Sequence, residues 1–214
     1  MLRMKAWLAA AALSVAGVGW ATPTANEILR RALDLSSGVQ DYTADVKLTH
    51  DLDGASEQST TITVYFKRPD KVSVKSRSFV VVPRDALTFG NLSKRVEAGA
   101  DVSLVGTKTV NGVPIYTLKI KPKEAGAQER VLVTVDGRRF TVEQMEVVQG
   151  QTPVATLVWQ HALVEGRYWM PASIVCTLPR VAGVGTQPGG RATLTFRNYR
   201  VNTGLSDSLF QQAH

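Results

Sequence analysis

The sequence predicts one mainly β domain with a single helix before its first strand, exported from the cytoplasm. Three observations favour this fold class: a secretory N-terminus, a helical period over residues 24–35, and a period of two that recurs between residues 41 and 201. A chain of 214 residues also suits one domain that buries a core without disulfides.

The N-terminus has the three parts of a signal peptide. Arg3 and Lys5 make a basic start, residues 6–18 form an apolar run, and Gly19-Trp20-Ala21 ends it with a small-x-small pattern. A membrane anchor is the alternative, but the run is short for a span of about 20 apolar residues. We predict cleavage after Ala21 and a periplasmic protein.

Cleavage leaves a mature domain at residues 22–214, after a signal peptide at residues 1–21. Losing Arg3 and Lys5 takes the 25 basic residues to 23 against 18 acidic ones, a net charge of +5. This excess favours anionic surfaces such as lipid headgroups. The basic residues are spread along the chain, so we do not expect nucleic-acid binding. No cysteine comes directly after the cleavage site, so we expect no lipid anchor on the mature chain.

The cysteine and histidine content predicts neither a metal site nor a nucleophilic site. Cys176 is the only cysteine, and it lies in an apolar-polar run that favours a buried side chain. His50, His161 and His214 have no clustered spacing. Nucleotide, hydrolase and metalloprotease motifs are absent from the sequence, so we predict no enzyme and no cofactor.

Four acidic residues have side chains that can act as catalytic acids or bases. Asp101, Asp136, Glu143 and Glu146 fall in turns or alternate with apolar residues. This pattern is typical of solvated strand faces, and we interpret them as such.

The helix prediction rests on a start signal and an apolar stripe. Thr24 and Glu27 form a T-x-x-E capping box. The apolar residues that follow recur at helical spacing: Ile28, Leu29, Ala32, Leu33 and Leu35. Such a helix should lie on an apolar surface.

Alternating or short apolar segments predict nine or ten antiparallel strands. They are residues 42–49, 61–66, 71–75, 79–82, 116–121, 131–135, 140–148, 153–163, 167–178 and 191–201. A sheet of that size must curl, close or be covered, and one helix is too small to cover it. The sheet therefore either closes into a filled barrel or curls around a partly open cavity. Residues 84–97 predict a short helix or lid-like loop over it.

Three segments together resemble the LolA-like family of outer-membrane lipoprotein-sorting proteins. They are Phe66-Lys67-Arg68-Pro69-Asp70-Lys71-Val72, residues 105–116, and residues 194–202 followed by 205–210. The resemblance covers most of the mature chain, and the order and spacing of the motifs carry it. It implies a strongly curved antiparallel sheet, an incomplete barrel, with helices closing an apolar cavity that binds acyl chains of lipoproteins or lipids.

The resemblance also implies partners and a role for one arginine. A carrier of this family acts as a monomer between an inner-membrane donor and an outer-membrane acceptor. Arg68 matches an arginine that bonds lid elements at the cavity mouth and helps the lid open and close. The alternative is that Arg68 only ends a strand before Pro69. The chain stops at His214, four residues after Phe210, without the further strand of the carrier, so fold and cavity carry over better than the exact sorting role.

The strand pattern supplies candidates for the cavity lining, although residues of this kind more often form ordinary core. They are Val64, Phe66, Leu118, Ile120, Val133, Val135, Leu157, Trp159, Leu194 and Phe196, with Phe89 and Leu92 from the covering segment. Two other functions stay open. One is an envelope-stress sensor of the same fold that binds a protein partner, and the other is an interaction protein with a filled core.

Overall fold

The computed structural model describes residues 22–34, 38–52, 58–76, 92, 99–121, 123, 129–179 and 189–211. The elements in chain order are α1 (Ala25–Asp34), β1 (Asp41–Leu52), β2 (Gln58–Lys67), β3 (Lys71–Lys75), β4 (Asp101–Val110), β5 (Val113–Lys121), β6 (Glu129–Asp136), β7 (Val142–Gln149), β8 (Thr152–Val164), β9 (Tyr168–Leu178), β10 (Gly190–Val201) and a 3-10 helix (Asp207–Phe210). No described helix is long and apolar enough to cross a membrane.

The ten described strands form one antiparallel sheet in the order β3-β2-β1-β10-β9-β8-β7-β6-β5-β4. The strands from β4 to β10 follow one another as a meander, because each pairs with its neighbour in sequence. β1 then pairs with β10 and carries β2 and β3 beyond it. β3 and β4 are the two end strands and do not pair with each other, so the sheet is not closed into a barrel.

Register irregularities curve this sheet. An extra residue in one strand bends that strand and increases its twist, and a ten-stranded sheet with several such bends curls. The described irregularities lie between Thr43 and Asp45, Leu104 and Gly106, Thr134 and Val135, Val147 and Val148, and Gln160 and His161. The prediction of a mainly β fold with a curved, incomplete barrel and one N-terminal helix is confirmed.

Helix α1 starts where the sequence predicts. The backbone N–H of Glu27 donates to the Thr24 hydroxyl at 3.2 Å, which caps the first turn. The other bond of the predicted capping box, from the Thr24 backbone N–H to the Glu27 carboxylate, is wrong. That carboxylate pairs with Arg31 one turn later instead. Ile28 and Leu29 are buried, and the helix packs on β4 and β5.

Strand β4 was not predicted. Its alternation is broken at Gly106, next to a register irregularity, and most of its side chains are exposed at the end of the sheet. An end strand with one open side need not show an apolar stripe along its whole length. The predicted strand at residues 79–82 and most of the predicted cover at 84–97 lie outside the described residues. Leu92, within that cover, is helical and buried.

Candidate functional site

One side of the sheet, called here the apolar face, brings together every described candidate for the cavity lining. All of them belong to one hydrophobic cluster together with Ile28 and Leu29 of α1. Those buried are Val64, Leu92, Leu118, Ile120, Val133, Val135, Leu157, Trp159, Leu194 and Phe196. Phe66 is half-buried and packs against them, and Phe89 lies outside the described residues. Their common location is what a lining requires, although a filled core would show it as well.

Cross-strand pairs make the apolar face continuous. Apolar residues on neighbouring strands stand directly opposite one another, at the spacing where their side chains touch. One row runs Leu48, Leu194, Ile174 and Trp159, and a second runs Cys176, Leu157, Met145, Val133, Leu118 and Leu104. The prediction of a buried Cys176 is confirmed, and burial raises the pKa of its thiol.

An aromatic group occupies one end of the apolar face, on β2, β1 and β10. The Tyr42 ring stacks on Phe66 with centroids 5.1 Å apart, and it meets Tyr199 edge-on at 5.5 Å. Phe196 stacks on Tyr199 at 6.0 Å. Burial raises the pKa of both tyrosines, so their hydroxyls stay protonated even at moderately alkaline pH. Tyr42 and Tyr199 were missed as lining candidates, although Tyr42 begins the alternation of β1.

Arg68 lies at the same end of the sheet and contacts the segment between α1 and β1. Its side-chain Nε donates to the carbonyl of Val39 at 2.8 Å, and its backbone N–H donates to the carbonyl of Gln40 at 2.9 Å. The guanidinium therefore touches the connection that leads out of the helix, which is more than a strand-ending residue needs. Its role as a latch for residues 84–97 stays a prediction.

A buried polar cluster was missed by the sequence. Asp136 is buried, and both its oxygens accept hydrogen bonds: Oδ1 from the backbones of Arg138 and Arg139, and Oδ2 from the Arg139 guanidinium. The interpretation of Asp136 as a solvated residue is therefore wrong. The Arg139 guanidinium also lies 4.8 Å from the Trp169 ring centroid. Through the contact of Arg139 with Trp169, this cluster holds the β6–β7 turn against β9.

His161 and Glu143 adjoin this cluster. The His161 side chain is 2% exposed, and its Nδ1 lies 3.9 Å from Glu143 Oε1, too far for a direct hydrogen bond. Burial lowers the pKa of His161 to about 4; Arg139 lowers it further and Asp136 opposes the shift. Burial alone would raise the pKa of Asp136, but the bonds from Arg139 and Arg138 bring it below its ordinary value. At neutral pH, His161 is therefore uncharged and Asp136 is charged.

This arrangement predicts acid sensitivity. The unfolded chain binds a proton at His161 near pH 6.5, whereas the folded protein does so near pH 4. Stability is therefore lost as pH falls between these values, because the unfolded state takes up the proton first. We expect the free energy of unfolding to fall by about 2–3 kcal/mol from this residue between roughly pH 7 and pH 4.5. Urea titrations of parent and His161→Gln should diverge with pH; parallel curves would contradict the assignment.

Comparison of the chain with solved structures gives consistent matches in fold. A LolA superfamily protein from Nitrosomonas europaea superimposes with a TM-score of 0.61 at 12% identity, over 89% of this chain and 99% of its own. The chain has a LolA-like fold. A domain named as an outer membrane lipoprotein-sorting protein, from Vibrio parahaemolyticus, matches with a TM-score of 0.59 at 14% identity, over 87% and 97% of the two chains.

The LolA-like fold is also shared with a protein of different family name. A DUF1329 family protein from Desulfovibrio piger superimposes with a TM-score of 0.64 at 17% identity, over 89% of this chain and 98% of its own. No protein-family model matches the sequence, and no curated protein matches it. At these identities the comparisons establish the fold, and the function has to be argued from the residues.

Proposed function

We propose that this protein is a periplasmic carrier that holds acyl chains of lipoproteins or lipids against the apolar face for transfer across the cell envelope. The observation that carries this proposal is the continuous apolar face of a sheet that does not close. Ten strands spaced about 4.8 Å apart make a surface roughly 40 Å wide. A ten-residue helix such as α1 is about 15 Å long and covers only part of that width.

The chemistry of the face suits acyl chains. Its described lining is aliphatic and aromatic. The buried carboxylates of Asp41 and Asp136 are each held by hydrogen bonds, from the backbone of residues 203–205 and from Arg138 and Arg139. Long alkyl chains need dispersion contacts and exclusion of water rather than directional bonds. Basic residues exceed acidic ones in the mature chain, which favours the anionic surface from which such a cargo comes.

The energetics require a closed empty state. Each buried CH₂ contributes about 0.8 kcal/mol, so a fully buried 16-carbon chain would gain roughly 12 kcal/mol. Several such chains would exceed the practical affinity ceiling of about 18–21 kcal/mol, and the cargo would never leave. In a carrier with a closed empty state, the contacts that close the cavity are lost when cargo enters. This loss weakens the net affinity for the cargo.

Native mass spectrometry of the mature protein purified from the periplasm, followed by lipid extraction, tests the proposal. We expect an acylated species to co-purify and to be released by organic solvent. A clean apo mass, with no uptake of added lipid or lipopeptide, would overturn the carrier function and indicate ordinary core. A co-purifying protein without lipid would indicate the sensor alternative instead.

Arg68→Leu is expected to slow the release of cargo. The substitution removes the bond to the Val39 carbonyl, so closing the empty protein regains less free energy and bound lipid is retained longer. A charged-donor bond of this kind is worth about 1.5–3 kcal/mol, which corresponds to a slowing of roughly tenfold or more. A vesicle-to-vesicle lipid transfer assay measures it. Arg191→Leu, at an exposed position on β10, is the control, and normal transfer by Arg68→Leu would leave Arg68 a turn residue.

A further inference from the structure

The short connection between α1 and β1 is held from two sides. Arg68 donates to the Val39 carbonyl on one side. On the other side stands Asn202, at the end of β10. Its side-chain Oδ1 accepts from the backbone N–H of Gln40 at 2.7 Å, and its Nδ2 donates to the carbonyl of Gly38 at 2.8 Å. One amide side chain thus bonds both Gly38 and Gln40, just before β1.

Asn202 is itself fixed in place. Its Nδ2 also lies 3.0 Å from the Tyr168 hydroxyl on β9, and its backbone N–H donates to the carbonyl of Asp41 at 2.8 Å. Its φ is +56°, in the left-handed region that asparagine tolerates better than most residues. Three segments, β9, β10 and the start of β1, therefore determine where this side chain lies.

Helix α1 has few described directional contacts with the rest of the protein. Its charged pairs, Arg30 with Asp34 and Glu27 with Arg31, lie within the helix. Ile28 and Leu29 pack on the sheet through apolar contacts, which have no preferred direction. The Arg31 guanidinium lies 4.9 Å from the Phe140 ring centroid, near the end of the helix that leads into the connection.

We propose that Asn202 is a positioning residue: by bonding Gly38 and Gln40, it sets the position of α1 on β4 and β5 and links it to the end of β10. This proposal rests on the proposed function only where α1 is taken to cover the acyl-binding face. When both bonds are lost, α1 keeps its helical pairs and apolar contacts but separates from the sheet more often. The sheet itself does not depend on these bonds.

A matched pair of variants tests the proposal. Asn202→Gly removes the side chain and keeps the left-handed backbone, which glycine adopts without strain. Asn198→Gly is the control, because Asn198 lies on β10 shortly before Asn202, has φ +52° and donates to Asp45 at 2.9 Å, away from the connection. In hydrogen exchange without lipid, amides of α1 should exchange at least about tenfold faster in Asn202→Gly than in Asn198→Gly. Equal exchange would overturn the proposal.

Uptake of a fluorescent long-chain fatty acid separates this inference from the proposed function. Faster exchange in α1 together with altered uptake kinetics in Asn202→Gly alone supports both. Faster exchange with uptake equal in both variants and the parent supports the positioning role and overturns a function of α1 as cover. Failure of the parent to take up the fatty acid would count against the carrier function, and the exchange result would still decide the role of Asn202.

Discussion

Replacing Asp41 with asparagine is expected to lower the free energy of unfolding by about 3 kcal/mol, which corresponds to a fall in Tm of roughly 6–12 °C. Asp41 is 4% exposed, and its carboxylate accepts from the backbone N–H groups of Thr203, Gly204 and Leu205 at 2.8, 3.0 and 3.2 Å. An amide in its place would turn an N–H₂ group towards these donors and leave at least one of them unsatisfied.

Asp45→Asn is the control for this experiment. Asp45 lies on the same strand and accepts a single described side-chain bond, from Asn198 at 2.9 Å. Its loss should cost less than about 1 kcal/mol, as for ordinary exposed polar contacts. Thermal and urea unfolding of the two variants measure the difference. Equal stability of the two would show that the carboxylate of Asp41 does not hold the segment after β10.

Phe66→Asp is expected to weaken lipid retention at least about 100-fold and to leave the far-ultraviolet circular dichroism of the sheet unchanged. A carboxylate on the apolar face must be desolvated when an acyl chain covers it, which costs several kcal/mol. Phe66 is suited to this test because it is half-buried at the end of β2, next to Tyr42. The new charge can therefore reach water in the empty protein, whereas a charge at fully buried Val133 would unfold it.

Tyr65→Asp is the matched control for the lipid experiment. Tyr65 precedes Phe66 on β2 and, because side chains alternate along a strand, points to the opposite side of the sheet. It should retain lipid like the parent. Retention is measured by native mass spectrometry after loading with a defined lipid. Normal retention by Phe66→Asp would remove Phe66 from the binding site.

The sequence predicted those parts of the fold that are set by local patterns. Val131, Val133 and Val135 alternate over β6, and all three are buried on one side, as a period of two requires. The Thr24 cap places the start of α1 in the same way. Residues that are buried on one side of a strand alternate with exposed residues of the same strand. This alternation can therefore be read directly from the sequence.

The polar sites could not be predicted in this way because their partners are distant in sequence. The hydrogen bonds that hold the Asp41 carboxylate come from residues 203–205, about 160 positions later. Asp136 looks like an ordinary turn residue until Arg139 folds back over it against Trp169. No local signal marks a polar residue whose burial is created by another segment. Strand β4 was missed for a different reason, since Gly106 interrupts its alternation.

The strand order has a consequence for the sequence of events in folding. The strands from β4 to β10 pair with their neighbours along the chain, so this meander can form as the polypeptide lengthens. The hairpin strands β1 and β2 are made first, yet β1 joins the sheet only through β10, which is made last. The hydrogen bonds from Gly204 to Asp41 and from Gln40 to Asn202 can both form only at that late pairing. The proposed positioning of α1 by Asn202 is therefore completed only in the final step. Until residues 190–205 are available to pair, the chain must keep its first apolar strands from aggregating.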